Sequence, residues 1–147
     1  MGFFSALESS ASALTAQRLR MDTISENLAN VNTTRTEDGT PYRRKTVIFQ
    51  EQSNGIPFSS YLSEAGKRYF PGGGVRVSQI VEDQTPFKSI YDPGHPDADE
   101  NGMVQMPNVD AVTEMVNMIS ATRAYEANVT AINATKSMAS KALEIGK

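Results

Sequence analysis

NVDAVTEMVNMISATRAYEANVTAINATKSMASKALEIGK, residues 108–147, reads as one long helix carrying two apolar rows. The first row is Met115, Met118, Thr122, Tyr125, Val129, Ile132, Lys136, Ala139 and Leu143. Its steps alternate three and four, which keeps side chains on one helical face. The second row, Ala121, Ala124, Asn128, Ala131, Thr135, Met138, Ala142 and Ile145, keeps that alternation on a neighbouring face with mostly small residues. A surface helix of a small globule needs one apolar stripe roughly 100° wide. Two rows predict packing from two sides, and a chain of 147 residues has few elements to supply both, so one row is expected to meet other chains. Asn108 is placed as the N-cap, Asp110 and Glu114 in the first turns, Lys136 and Lys141 in later ones, and Gly146 at the exit, an order that complements the helix dipole. Residues 109–145 as one helix would measure ~55 Å at 1.5 Å per residue.

A second helix is expected over residues 3–31. Leu7, Leu14, Met21 and Leu28 recur every seven, and Phe3, Ser10, Gln17, Ile24 and Val31 form the companion row, together a coiled-coil seam over about four heptads. Ser5, Ser9, Ser10, Ser12 and Thr15 weaken its first half, because their hydroxyls compete for backbone groups. Alone, this segment is a marginal helix, dependent on partners and able to order on assembly. Asn27, Asn30 and Asn32 cluster where the period ends, which predicts a helix exit made with asparagine side chains and left-handed backbone.

Between the helices, residues 37–107 hold all seven prolines and eight of the ten glycines, which excludes long helices there. Residues 42–51, 75–81 and 86–91 carry the β-branched and aromatic runs of strands, and 53–70 reads as a loop or flap. The division is therefore residues 1–36, a helix and its asparagine-rich turn; 37–107, a small β-rich region; and 108–147, the long helix. The fold class is mainly α, with the terminal helices packed as a coiled-coil-like pair.

Composition removes several functions. The chain has no cysteine, hence no disulfide, thiolate metal site or thiol nucleophile. Its net charge of −3 lies wholly in the middle region, where seven basic groups face ten acidic ones, while both ends are balanced. The triplet Arg43-Arg44-Lys45 is short, lacks interleaved aromatics and sits among acidic residues, so it reads as a solvated strand edge and not as a nucleic-acid site. The first residues lack the basic region and continuous apolar core of a cleavable signal, and Ala6 breaks the myristoylation pattern, so no lipid anchor is expected. Asp92-Pro93-Gly94 has the residues of a type II turn. Asp97, Asp99, Asn101 and Gly102 match the first half of an EF-hand loop, the one opening for a calcium-responsive module, but Asn108 stands where the bidentate glutamate belongs. His95 is the sole histidine, with no nucleophile or second histidine beside it. No catalytic residue, metal ligand or cofactor is assigned.

Both ends together resemble the rod and hook family of bacterial flagellar axial proteins. Ser25-Glu26-Asn27-Leu28-Ala29-Asn30-Val31-Asn32-Thr33 is similar to that family's N-L-A-N-x-N-T signature. The larger members continue into Gly-Tyr or Gly-Phe; this chain has Thr34-Arg35-Thr36-Glu37-Asp38-Gly39 and then Pro41-Tyr42-Arg43-Arg44, which resembles the short proximal-rod members. The stretch from Asp92 through Gly102, then Met106-Pro107-Asn108-Val109, and the run from Glu114 to Val129 carry the same likeness. The resemblance implies a structural subunit of the rod in the flagellar basal body, crossing the periplasm. It also implies assembly with copies of itself and with other rod proteins, export through the flagellar apparatus without a cleaved signal, and a seat at the inner-membrane ring. Its packing residues would be Leu7, Leu14, Met21, Leu28, Asn27, Asn30 and Asn32 on one side. On the other they would be Met115, Met118, Ala121, Ala124, Tyr125, Asn128, Val129, Ala131, Ile132 and Met138. The row with Tyr125 and Val129 is expected to face the chain's own first helix, and the small-residue row its neighbours.

Overall fold

Twenty-seven residues without proline or glycine form α1, Phe3–Ala29. Hydroxyls that compete with a helix are here turned back into it: Ser12 donates to Ser9 O at 2.7 Å, Thr15 to Ala11 O at 3.2 Å and Thr23 to Leu19 O at 2.9 Å. The chain then runs through β1, Lys45–Glu51, β2, Val75–Glu82, β3, Lys88–Tyr91, β4, Met103–Met106, and α2, Ala111–Ile145. The structure is a computed structural model that describes residues 3–52 and 73–145. The loop expected over 53–70 lies outside the described residues. About half of what is described is helix, and the strands form two small antiparallel sheets, β1 with β2 and β3 with β4.

The strand ends explain the first sheet. Asp83 N donates to Arg44 O at 2.8 Å, and Gln52 N to Gly74 O at 2.9 Å. Nine residues, 44–52, thus oppose ten, 74–83, so β2 carries one extra residue, a bulge. In the second sheet Lys88 pairs with Met106, Ser89 with Gln105, Ile90 with Val104 and Tyr91 with Met103. Its connection closes through Asp92 N to Gly102 O at 2.9 Å, and Gly102 has φ +72°, where a Cβ would press on the Tyr91 ring at 3.0 Å. The turn at Asp92 is not type II: His95 N reaches Asp92 O at 3.2 Å, yet among the described residues the positive-φ glycines are Gly39, Gly74 and Gly102.

Two compact units divide the chain. One gathers the chain up to Arg18, 49–78 and the chain from Arg123. In it the start of β2 lies against α1, with Val75 N donating to Ser12 Oγ at 3.0 Å. Gly74, φ +104°, permits this approach; a Cβ there would collide with the Ser12 side chain. The other unit gathers 19–48 and 79–122. Its core is Ile24, Tyr42, Val104, Pro107, Val109 and Ala121, with Thr23, Asn27 and Glu114 buried among them.

The buried and half-buried residues of α2 centre on Ala111, Glu114, Met118, Ala121, Tyr125, Asn128, Ile132, Thr135 and Ala139, again stepping by three and four, with Asn117, Thr122 and Ala124 beside them. Met118, Tyr125, Ile132 and Ala139 come from the expected larger-residue row; Ala121, Asn128 and Thr135 come from the small-residue row. The inward face therefore runs between the two rows. Met115, Val129 and Leu143 of the first row and Met138 and Ile145 of the second are exposed. The cause is Glu114, whose buried partners fix the roll of the helix, so positions at heptad spacing from it (121, 128, 135) turn inward. Among the described residues no helix is long and apolar enough to cross a membrane.

Candidate functional site

Two asparagines, one near the end of α1 and one three residues ahead of α2, meet the start of β1. The carboxamide of Asn27, completely buried, behaves there as a peptide group would. Its Nδ2 donates to Lys45 O at 2.8 Å, and its Oδ1 accepts from Lys45 N at 2.9 Å. Those are the two bonds a neighbouring strand would make to an outward-facing residue of β1. Nδ2 also donates to Glu114 Oε2 at 2.9 Å, and Oδ1 accepts from Tyr42 OH at 3.0 Å. All four hydrogen-bonding positions of the amide are filled, which burial requires.

Asn108 does related work one residue earlier. In a regular ladder Arg44 N would donate to Asp83 O. Instead Arg44 N donates to Asn108 Oδ1 at 2.8 Å, and Asn108 Nδ2 donates to Asp83 O at 2.9 Å, so the carboxamide is spliced into the first rung. It holds Thr85 as well, by Oγ1 at 2.9 Å and O at 3.3 Å. Asn108 is therefore not the cap expected for α2. That role falls to Asp110, whose Oδ1 accepts from Val112 N at 3.1 Å and Oδ2 from Thr113 OH at 3.0 Å. The Thr113 hydroxyl, then the Val112 amide, hold the Asp110 carboxyl below the usual carboxylate range.

Glu114, 1% exposed, closes the knot. Its Oε1 accepts from Arg44 Nε at 2.9 Å and Nη2 at 2.7 Å, and from Asn117 Nδ2 at 3.3 Å, while Oε2 takes Asn27. Arg44 continues to Thr46 Oγ1 at 3.1 Å and lies 3.6 Å from Asp83 Oδ2. Both charges are paired and hydrogen-bonded, as buried ions must be. Burial, then the carboxylates of Glu26, Glu114 and Glu82, push the Tyr42 phenol up to about 12. For Asp83 the Thr85 amide and hydroxyl lead, with Arg44 adding, and together they lower its carboxyl. This assembly holds the two helices' ends to the sheet; it presents no nucleophile or open metal position.

The other singled-out residues fall as follows. Leu7, Leu14, Met21 and Leu28 are half-buried in α1, and Thr122 OH contacts the Met21 sulfur at 3.7 Å. Asn30 ends α1 by donating from Nδ2 to Glu26 O at 2.9 Å and accepting from Thr33 OH at 3.1 Å. Asn32 is exposed, and among the described residues no residue other than glycine has a positive φ, so the exit uses asparagine side chains without left-handed backbone. In α2, Ala124 is half-buried, Asn128 turns its amide to Ala124 O at 2.8 Å, and Ala131 is exposed.

The half EF-hand serves the fold. Asp97 accepts from Thr34 OH at 2.7 Å and lies 4.0 Å from Arg35, and its own amide donates to His95 Nδ1 at 3.1 Å. Among the described residues no three His, Asp or Glu side chains converge as a metal site needs. Thr34, Arg35 and Asp97 line a polar cleft of 370 Å³ with Gly39, Pro41, Asp99 and Gln105. Sequence reasoning missed Glu114 and Arg44 as partners, reading one as a dipole complement and the other as a solvated edge. Neither has a local signal, since the pair joins residues 70 apart.

Comparison with known proteins adds to this geometry. Residues 7–35 match a family described as "Flagella basal body rod protein", and residues 100–145 one described as "Flagellar basal body rod FlgEFG protein C-terminal". The chain is similar to three proteins each named "Flagellar basal-body rod protein FlgC". It is 55% identical to that of Bacillus subtilis (strain 168), over 100% of both chains. To that of Borreliella burgdorferi it is 50% identical, over 99% of this chain and 98% of the relative, and to that of Escherichia coli O6:H1 43%, over 100% of both. Asn27 and Glu114 fall one in each matched segment.

Proposed function

The chain belongs to the flagellar basal-body rod protein family, and from that premise we propose how it serves as a structural subunit of the rod. α1 and α2 pair as a coiled-coil-like arm, locked at one end by the Asn27–Glu114 knot. The apolar residues the arm leaves outside then join copies of the chain, and other rod proteins, into a helical tube that transmits torque. A head-to-tail contact that does not close into a ring builds such a tube. We assign the subunit to the rod within the periplasm, delivered by the flagellar export apparatus and seated near the inner-membrane ring.

One observation carries this reading: Asn27 Nδ2 to Glu114 Oε2, 2.9 Å, a buried bond between two segments 87 residues apart, each of which matches a rod family. It ties the last turns of α1 to the first turns of α2, a link of the kind that transmission of torque requires. The contact surface we propose is the row Val112, Met115, Val116 and Ile119, all at least half exposed and spaced i, i+3, i+4, i+7 on one face of α2. Ala131, Met138 and Leu143 are exposed further along α2, on faces other than that row.

The test is complementation of a strain lacking the gene. Ile119→Glu and Ala131→Glu place charges on exposed positions, so the isolated chain should keep its circular dichroism. Buried against a neighbour, either charge costs several kcal/mol, so swimming should be abolished and basal bodies should lack the distal axial parts. Normal motility of both variants would overturn the proposed surface.

A further inference from the structure

The second sheet has two strands and is exposed along the whole of β3. Among the described residues no strand pairs with the outer edge of β3. Antiparallel pairs alternate between those that exchange backbone bonds and those that do not. Asp92 N bonds to Gly102 O, so Asp92, Ile90 and Lys88 face β4 with their backbone groups. Ser89 and Tyr91 therefore turn their N–H and C=O outward. Met103, across from Tyr91, confirms the alternation, since its carbonyl points away from β3 and accepts from Asp99 N at 2.9 Å.

We propose that this edge pairs, antiparallel and about a two-fold axis through Ile90, with β3 of a second copy of the chain. The register is self-complementary. Ser89 exchanges both backbone bonds with the partner's Tyr91, and Tyr91 with the partner's Ser89. Ile90, 50% exposed, meets the partner's Ile90 in a non-bonded pair, where side chains come closest. Lys88 falls opposite the partner's Asp92 at both ends, opposite charges where like charges would repel. The Lys88 ammonium already donates to Val109 O at 3.4 Å and keeps further N–H groups for that carboxylate. Shifting the register by two residues either way breaks both the isoleucine pair and the charge pairs. Two two-stranded sheets become one four-stranded sheet, which removes the open β3 edges that otherwise invite aggregation.

Four backbone bonds over four residues bury far less than a stable dimer needs, so the contact is weak and transient. It also closes on itself, so it protects free subunits and does not extend a polar tube. It does not rest on the reading of the helices given above.

The chain has no cysteine, so single-cysteine variants of the full chain report the register directly. In Ile90→Cys the two sulfurs face each other across the axis, within disulfide reach. In Ser89→Cys the two positions lie about 8 Å apart, beyond it. Under mild oxidation Ile90→Cys should form disulfide dimer at least tenfold faster than Ser89→Cys. Adding Ser89→Pro, which deletes one outward N–H, should return Ile90→Cys to that slow rate while circular dichroism is unchanged. Equal rates for Ile90→Cys and Ser89→Cys, or no dimer from Ile90→Cys at chain concentrations up to about 1 mM, a weak-binding range, would overturn the proposal.

Discussion

Replacing Asn27 with alanine removes a carboxamide that makes four hydrogen bonds in a site closed to water. Three have neutral partners, worth about 1 kcal/mol each, and the one to Glu114 is worth about 2 kcal/mol. Some relaxation returns part of this, so the expected loss is about 3–5 kcal/mol, a large share of the 5–15 kcal/mol typical of a domain. Aspartate at the same position preserves shape but puts an oxygen where Nδ2 now meets Glu114 Oε2 at 2.9 Å and Lys45 O at 2.8 Å. Two like charges about 3 Å apart repel by about 5 kcal/mol at an effective dielectric near 20. Asn27→Asp should therefore be at least as damaging as Asn27→Ala at pH 7. It should recover relative to Asn27→Ala as pH falls, when one proton shared by the two carboxyls restores the missing donor. Urea unfolding followed by circular dichroism and tyrosine emission measures both. A loss below 1 kcal/mol for Asn27→Ala, or wild-type stability for Asn27→Asp at pH 7, would show that the knot does not hold the unit together.

The remaining expectations concern single features. Gly74→Ala meets both a positive φ and the Ser12 side chain, so thermal unfolding should drop by about 4–8 °C, the shift expected of about 2 kcal/mol in a chain this size. One tyrosine should titrate near 12 in tyrosinate absorbance, and Tyr42→Phe should remove it. Because the folded pKa lies above the unfolded 10, Tyr42's contribution is complete below pH 10 and is lost as pH rises toward 12. Asp110 has the opposite sign: its lowered carboxyl stabilises above the unfolded value and the benefit fades as acid protonates it. Asp110→Ala should therefore melt earlier at pH 7 and converge on the parent as pH falls below the ordinary aspartate range.

Both helices were legible within two residues at each end, because their periods repeat over many turns and no proline interrupts them. Three strands were legible from β-branched runs. β4 was not: Met103-Val104-Gln105-Met106 is too short to show a period, and only its pairing with β3 makes it a strand. The roll of α2 was also hidden. Two rows of similar apolarity lie about 100° apart, one residue step of a helix with 3.6 residues per turn, and hydrophobicity alone cannot choose between them. The choice was made by a carboxylate, Glu114, whose burial depends on an arginine 70 residues earlier. Asn27 was singled out from its place in a motif, yet its role in pairing with Lys45 could not be seen without knowing where β1 begins.

The knot's composition also sets an order of events for a chain made from its N-terminus. Three of the four Asn27 bonds go to Tyr42 and Lys45, 15–18 residues away, and close a short loop at modest entropic cost. The fourth waits for Glu114, 87 residues on. A nascent chain can therefore set Asn27 against β1 long before α2 exists, leaving one amide proton and Arg44 Nε and Nη2 without their acceptor. The arrival of residue 114 satisfies both at once, so synthesis of the first turns of α2 is itself the signal that fixes them to α1.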